Sequence, residues 1–217
     1  MTLDWTLENG IGLITLDRPP SNTMTLGFFN EFRDLVATIG RERGLKAVII
    51  RGRGRHFSSG ADVQELLDCT EPGLMMENYR TFQLLEEMPV PVIAAIRGVC
   101  LGSAFELALF CHFRICSHDA VLGLPETNFN LMPGIGGIQR MAALAAEARA
   151  VELVLRGNTF QAAEAFTYGL ADYLVPKQQV LDSAMSLAAW LPGTYQRENR
   201  KLYIQQYLRK HHDGIQR

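Results

Sequence analysis

Two carboxylates stand out by their settings. Glu106 lies three residues after Ser103 in LGSAFELAL, in what reads as the first turn of a helix, and Glu126 follows Pro125 at the end of the apolar run AVLGLPE. Singly, the first suits a helix dipole and the second is a loop charge. Held side by side, two carboxylates can bind a water between them and exchange the roles of general acid and general base. Three Gly-rich joins follow apparent strands, at 58–61, 101–104 and 133–137. The first two open helices, where free backbone N–H groups coincide with the positive end of the aligned peptide dipoles. Two such donors converging on one point make an oxyanion hole, worth roughly 3 to 4 kcal/mol of transition-state stabilisation per donor. Small residues at a join also simply permit a tight turn, and one join alone does not decide between the two readings.

Other chemistry-bearing residues carry less. The run Arg51, Arg53 and Arg55 lacks interleaved aromatics, so it suits a phosphate-bearing ligand better than a nucleic-acid strand. PGIGGIQR is not a dinucleotide fingerprint, and no acidic residue follows at the required distance. His56, beside a Gly-rich turn, reads as incidental; His112 and His118 lack metal-ligand spacing, and His211 and His212 read as a solvated tail. Cys69, Cys100, Cys111 and Cys116 lie in apolar stretches without CxxC spacing, which reads as reduced, buried thiols, with no metal expected.

The elements that must position these groups alternate. A strand at 11–19 precedes a helix carrying Phe28, Phe29, Phe32, Leu35, Val36 and Ile39 at helical spacing. A short apolar strand at 46–52 runs into the first join and a helix from Ala61. The periodicity predicts a helix over 71–88 between Pro72 and Pro89, a buried strand over 90–100 and a helix over 104–116. A short strand at 120–126 and one or two helices over 134–157 follow, and the remainder reads as mostly helical with a polar, charged ending. Strands alternating with crossover helices predict an α/β core, and the pattern alone suggests a doubly wound parallel sheet.

Composition sets the bounds. The 217 residues suffice for one core with an appendage. A net charge of −2 gives no global attraction for nucleic acid or an anionic membrane, so anion binding must be local. MTLDWTLENG lacks the features of a signal peptide and no apolar run is long enough to span a bilayer, so the cytoplasm is the expected setting.

Five stretches, taken in order, carry a family likeness: LDRPPSNTM, HFSSGADV, PVIAAIRGVCLGSAFELAL, GLPETNFNLMPGIGGIQR and AVELVLRGNTFQAAEAFTYGLADYLVP. With them the sequence resembles the crotonase (enoyl-CoA hydratase/isomerase) superfamily from about Leu13 to Pro176. The resemblance implies a crotonase-like spiral of ββα units over 1–176 in place of the doubly wound sheet. It also implies a C-terminal helical region at 177–217, shorter than the family's, and a homo-oligomer, either a trimer or a dimer of trimers. By position, Ala61 and Ser103 correspond to the two oxyanion-hole donors and Glu106 and Glu126 to the two acid/base positions. Ser59, Gly60, Asp62, Gly102, Arg55 and Met24 fall where the substrate and its CoA are held.

The implied partner is an acyl-CoA thioester, with coenzyme A as part of the substrate and no separate cofactor. Family members with other chemistries, among them Δ3-Δ2 enoyl-CoA isomerases, typically keep one of the two acids, so the pair points to a hydratase. An isomerase working through Glu126 and a non-catalytic acyl-CoA-binding subunit are the other readings, the last favoured by the short tail. Two departures from the family pattern are Ser103, where glycine is usual, and Gln64, where a basic residue often stands.

Overall fold

The run AVII at 47–50 is apolar at every position, as a strand needs when both faces of its sheet are covered. A computed structural model describes residues 2–69, 73–192 and 199–210, and in it this run lies inside a six-stranded sheet. The strands are β1 (Leu3–Glu8), β2 (Ile11–Leu16), β3 (Ala47–Gly52), β4 (Val92–Ile96), β6 (Phe113–Ser117) and β9 (Tyr173–Val175), neighbours in that order. All pairs are parallel except the β1–β2 hairpin. Val48 and Ile50 point to one core, with Phe32, Phe82 and Leu107. Ala47 and Ile49 point to the other, beneath α8 (Val180–Trp190) and Tyr207 of α9 (Arg200–Lys210). Burying one such side chain contributes about 1.5 to 3 kcal/mol, so both layers hold the sheet.

A second sheet of three strands, β5 (Val99–Leu101), β7 (Val121–Gly123) and β8 (Thr159–Gln161), lies beside it. Successive strands therefore divide between two sheets. β4 joins the large one, β5 the small one, and α4 (Ser103–Phe110) follows; β6 and β7 repeat the step before α5 (Gly137–Ala145) and α6 (Glu147–Arg156). The two earlier repeats have single bridges in place of the second strand, Met24 with Ala61 and Ser58 with Cys100. They lead into α1 (Leu26–Ile39), capped by Thr25, and α2 (Val63–Asp68), capped by Asp62; α3 (Leu74–Glu86) lies beyond. This is a ββα repeat and not a doubly wound sheet.

Several sequence expectations change. The strand over 90–100 breaks at Gly98, where a Cβ would sit 2.6 Å from His56 Nδ1, and its halves enter different sheets. The helix over 104–116 ends at Phe110, and Phe113–Ser117 is a fully buried strand between β4 and β9. Both elements are buried at every residue, so no exposed polar face marks a period with which to separate the two. β1, β8 and β9 were not apparent in the pattern, the last two being only three residues long. The strand over 120–126 stops at Gly123, and Glu126 opens a 3-10 turn, Glu126–Phe129. The cysteines are free, three buried and Cys69 half-buried. Pro72, the expected boundary of the helix at 71–88, and the histidine pair at 211 and 212 lie outside the described residues. Among those described, no helix is long and apolar enough to cross a membrane.

Candidate active site

The joins at 58–61 and 101–103 are laced together. Ser58 N–H donates to Val99 O at 3.1 Å and Leu101 N–H to Ser58 O at 3.2 Å. Gly60, at φ 92°, packs so closely that a Cβ would meet Leu101 O at 2.5 Å, and only glycine allows the two backbones this approach. The proposed donors are oriented by their own peptide units. Gly60 O accepts Met24 N–H at 2.9 Å, and because a trans peptide carries C=O and N–H on opposite sides, Ala61 N–H points away from Met24. Gly102 O accepts Glu106 N–H at 2.9 Å inside α4, so by the same geometry Ser103 N–H points out of the helix N-terminus.

A cleft of about 180 Å³ opens beside both, lined by Ser59, Gly60, Ala61, Gly102, Ser103 and Glu126 and walled by Val63, Leu66, Phe129 and Leu131. Polar groups that orient a ligand within a mainly apolar wall are the usual make-up of a small-molecule site. Glu126 enters from the 3-10 turn; its Oε1 would lie 3.1 Å from a Cβ on Gly102, and its Oε2 is buried without a hydrogen-bond partner. Burial pushes its carboxyl up to about 7, against the smaller opposing effect of its own backbone N–H.

Glu106 is 1% exposed and does not line the cleft. Its Oε1 accepts Gly137 N–H at 2.8 Å and Ile135 N–H at 2.9 Å, both from the third Gly-rich join. Burial dominates and the nearby Glu126 charge adds to it, while the two N–H groups oppose, leaving this carboxyl also at about 7. The third join thus has a task that the sequence reading did not assign. Its glycine is the available signal, since a Cβ on Gly137 would come within 2.6 Å of Glu106 Cγ.

The remaining expected residues act elsewhere. Met24 is 1% exposed and serves through its backbone, and Asp62 is engaged in capping α2, its Oδ1 accepting from Gln64 N–H and Glu65 N–H. Arg55 is exposed in the turn before the join; neither it, Met24 nor Asp62 lines the cleft. Arg53 pairs with Asp17 and Asp4, and Arg51 donates to Thr15 Oγ1, so most of the basic run is engaged along the sheet. His56 Nδ1 accepts Val99 N–H, and His112 Nδ1 accepts Val92 N–H, both in backbone support. Asn22, quoted within LDRPPSNTM but given no role, is buried at the foot of the first join.

A family model described as enoyl-CoA hydratase/isomerase matches residues 6–203. The fatty acid oxidation complex subunit alpha of Shewanella loihica is 38% identical over 191 residues, 84% of this chain and 27% of that protein. The chain therefore spans about a quarter of the length of the curated relatives it matches. A crystal structure of enoyl-CoA hydratase from Bacillus anthracis superposes with a TM-score of 0.82 at 33% identity, over 87% of this chain and 76% of that one. A Thermobifida fusca chain solved in complex with CoA gives 0.80 at 29% identity, over 95% and 85%.

Proposed function

The chain belongs to the enoyl-CoA hydratase/isomerase family and has its crotonase fold, and on that premise we propose that it is a hydratase adding water to a 2-enoyl-CoA thioester, or catalysing the reverse dehydration. The carrying observation is a pair of carboxyls, Glu126 on the cleft and Glu106 near enough to feel its charge, both raised by burial to about 7. Near neutrality such a pair favours the state in which one is protonated and the other ionised. The ionised member takes a proton from water as its oxygen attacks C3, and the protonated member supplies a proton for C2. Electron density moves to the thioester oxygen, where Ala61 N–H and Ser103 N–H stabilise the enolate. Donors aimed at that oxygen lower the barrier because they bind the enolate more strongly than the ground-state carbonyl. The CoA handle, a homo-oligomeric assembly and a cytoplasmic setting belong to the same proposal.

One observation favours a second reading. Glu126 lines the cleft and Glu106 does not, the arrangement for a single base that carries a proton between C2 and C4 of an unsaturated acyl-CoA. The two separate in one assay series. Hydration removes the conjugated thioester absorbance of a 2-enoyl-CoA, whereas isomerisation creates it from a 3-enoyl-CoA. Loss of absorbance from the 2-enoyl substrate supports the hydratase; conjugation gained from the 3-enoyl substrate alone replaces it with the isomerase.

A further inference from the structure

Asn22 is 2% exposed and holds a φ of 53°. Its side-chain N–H groups donate to Arg53 O, His56 O and Phe57 O at 3.0, 2.9 and 3.1 Å, and its Oδ1 accepts Arg18 N–H at 3.1 Å. Three acceptors share two hydrogens, so the carboxamide gathers the whole turn that precedes the first join. The Asn22 carbonyl accepts the hydroxyl of Ser58 at 2.7 Å, and the same Ser58 oxygen, buried completely, accepts Gly60 N–H at 3.1 Å. One peptide further on is the Gly60–Ala61 unit, whose carbonyl is held by Met24 N–H. Ser59 N–H also donates to Ser21 O at 2.9 Å, so 21–24 and 58–62 form one short paired ribbon with Asn22 and Ser58 inside it. Glu65 fastens its far end, accepting Leu26 N–H at 2.7 Å through Oε2.

We infer that Asn22 and Ser58 are a positioning pair that sets the direction of Ala61 N–H toward the thioester oxygen, an inference that rests on the proposed acyl-CoA chemistry. Neither side chain lines the cleft, so both act through the backbone. The other donor, Ser103 N–H, is aimed by the first turn of α4, where Gly102 O accepts Glu106 N–H, and neither the Asn22 carboxamide nor the Ser58 hydroxyl bonds to its peptide. Loosening the pair therefore weakens one of two donors and leaves the apolar walls intact, an effect on turnover and not on substrate capture.

Two variants test this. Ser58→Ala removes the hydroxyl, and Asn22→Gly removes the carboxamide while tolerating the positive φ. Each is measured for hydration of a 2-enoyl-CoA and, by infrared difference spectroscopy, for the carbonyl band of bound butanoyl-CoA labelled with carbon-13 at the thioester. The expected result is a band lowered on binding to the wild-type protein and partly restored in both variants, with kcat reduced roughly tenfold or more and KM within about twofold. If Asn22→Gly does not fold, Ser58→Ala decides. An active wild type with a lowered band and a Ser58→Ala variant that matches it in band and kcat overturns the positioning role alone. A fall in kcat with the band unchanged overturns it as well, since the donor then still reaches the oxygen. A wild type that neither hydrates substrate nor shifts the band overturns the underlying reading, and this inference with it.

Discussion

Burial brings Glu106 and Glu126 to the same acidity, but the fold holds the two carboxyls differently. Glu106 is locked in the interior by α4 on one side and two N–H groups of the third join on the other. Glu126 sits on a short turn at the cleft, with one oxygen unpartnered. The first is held as a structural group is held, and the second is poised as a reacting group is poised. The comparison teaches that a shifted carboxyl is informative about chemistry only when its hydrogen-bonding is examined with it. On the proposed mechanism both members move protons, the firm one from a fixed position and the open one at the cleft surface.

The largest effect is expected at the open member. Glu126→Gln should lower kcat for hydration by about 10³-fold with little change in melting temperature, because an orphaned oxygen loses no partner. Glu106→Gln should cost about 10²-fold, since the amide oxygen can still accept from Ile135 and Gly137 but the proton-transfer group is gone. Equal losses in steady-state assays of the two variants would remove the distinction between them.

Next comes the close approach that brings the joins together. Gly60→Ala must both hold a positive φ and displace Leu101 O from 2.5 Å, so it should reduce kcat about 10- to 100-fold while the protein stays folded by circular dichroism. An unaffected rate would mean that the two joins need not touch.

Stability sharpens the same contrast. Glu106→Ala strands two buried N–H groups and opens a cavity, and should cost about 3 to 5 kcal/mol by denaturant titration. Glu126→Ala should cost markedly less.

The Glu106 carboxyl also makes stability depend on pH. A carboxyl near 4.5 when unfolded and at about 7 when folded contributes stability that is complete below pH 4.5 and is lost as pH rises through 7. Unfolding free energy should therefore fall between about pH 4.5 and 7 and level off above that, by up to about 3 kcal/mol from Glu106. Glu106→Gln should make that slope shallower in urea titrations at each pH, leaving the part due to Glu126, and an unchanged slope would assign it to other groups.

Much of this was legible in the residues. Alternating apolar runs and joins announced an α/β core, while the candidate donors in SSGAD and LGSAFE followed from the family resemblance, since small residues at a join equally suit a tight turn. Where the residues misled, the physical signal was missing: the strand Phe113–Ser117 is buried at every position, its Arg114 paired with Asp172, and the helix preceding it is buried at every position too, so neither shows a polar face whose period could tell them apart. The division of 90–100 between two sheets turns at Gly98, which holds a φ of 58° where a Cβ would collide with His56, 42 positions away, a neighbour that no local pattern encodes. The same holds for the site. Asn22 and the third join work through backbone carbonyls and N–H groups, which every residue type possesses, so only the fold reveals what they hold.

The most direct test of the central claim is to give the purified protein a 2-enoyl-CoA and a 3-enoyl-CoA in parallel and follow the conjugated thioester absorbance. A two-carboxylate hydratase consumes the absorbance of the first, at a rate that collapses in Glu126→Gln. An unchanged 2-enoyl-CoA beside a 3-enoyl-CoA that gains conjugation would contradict it.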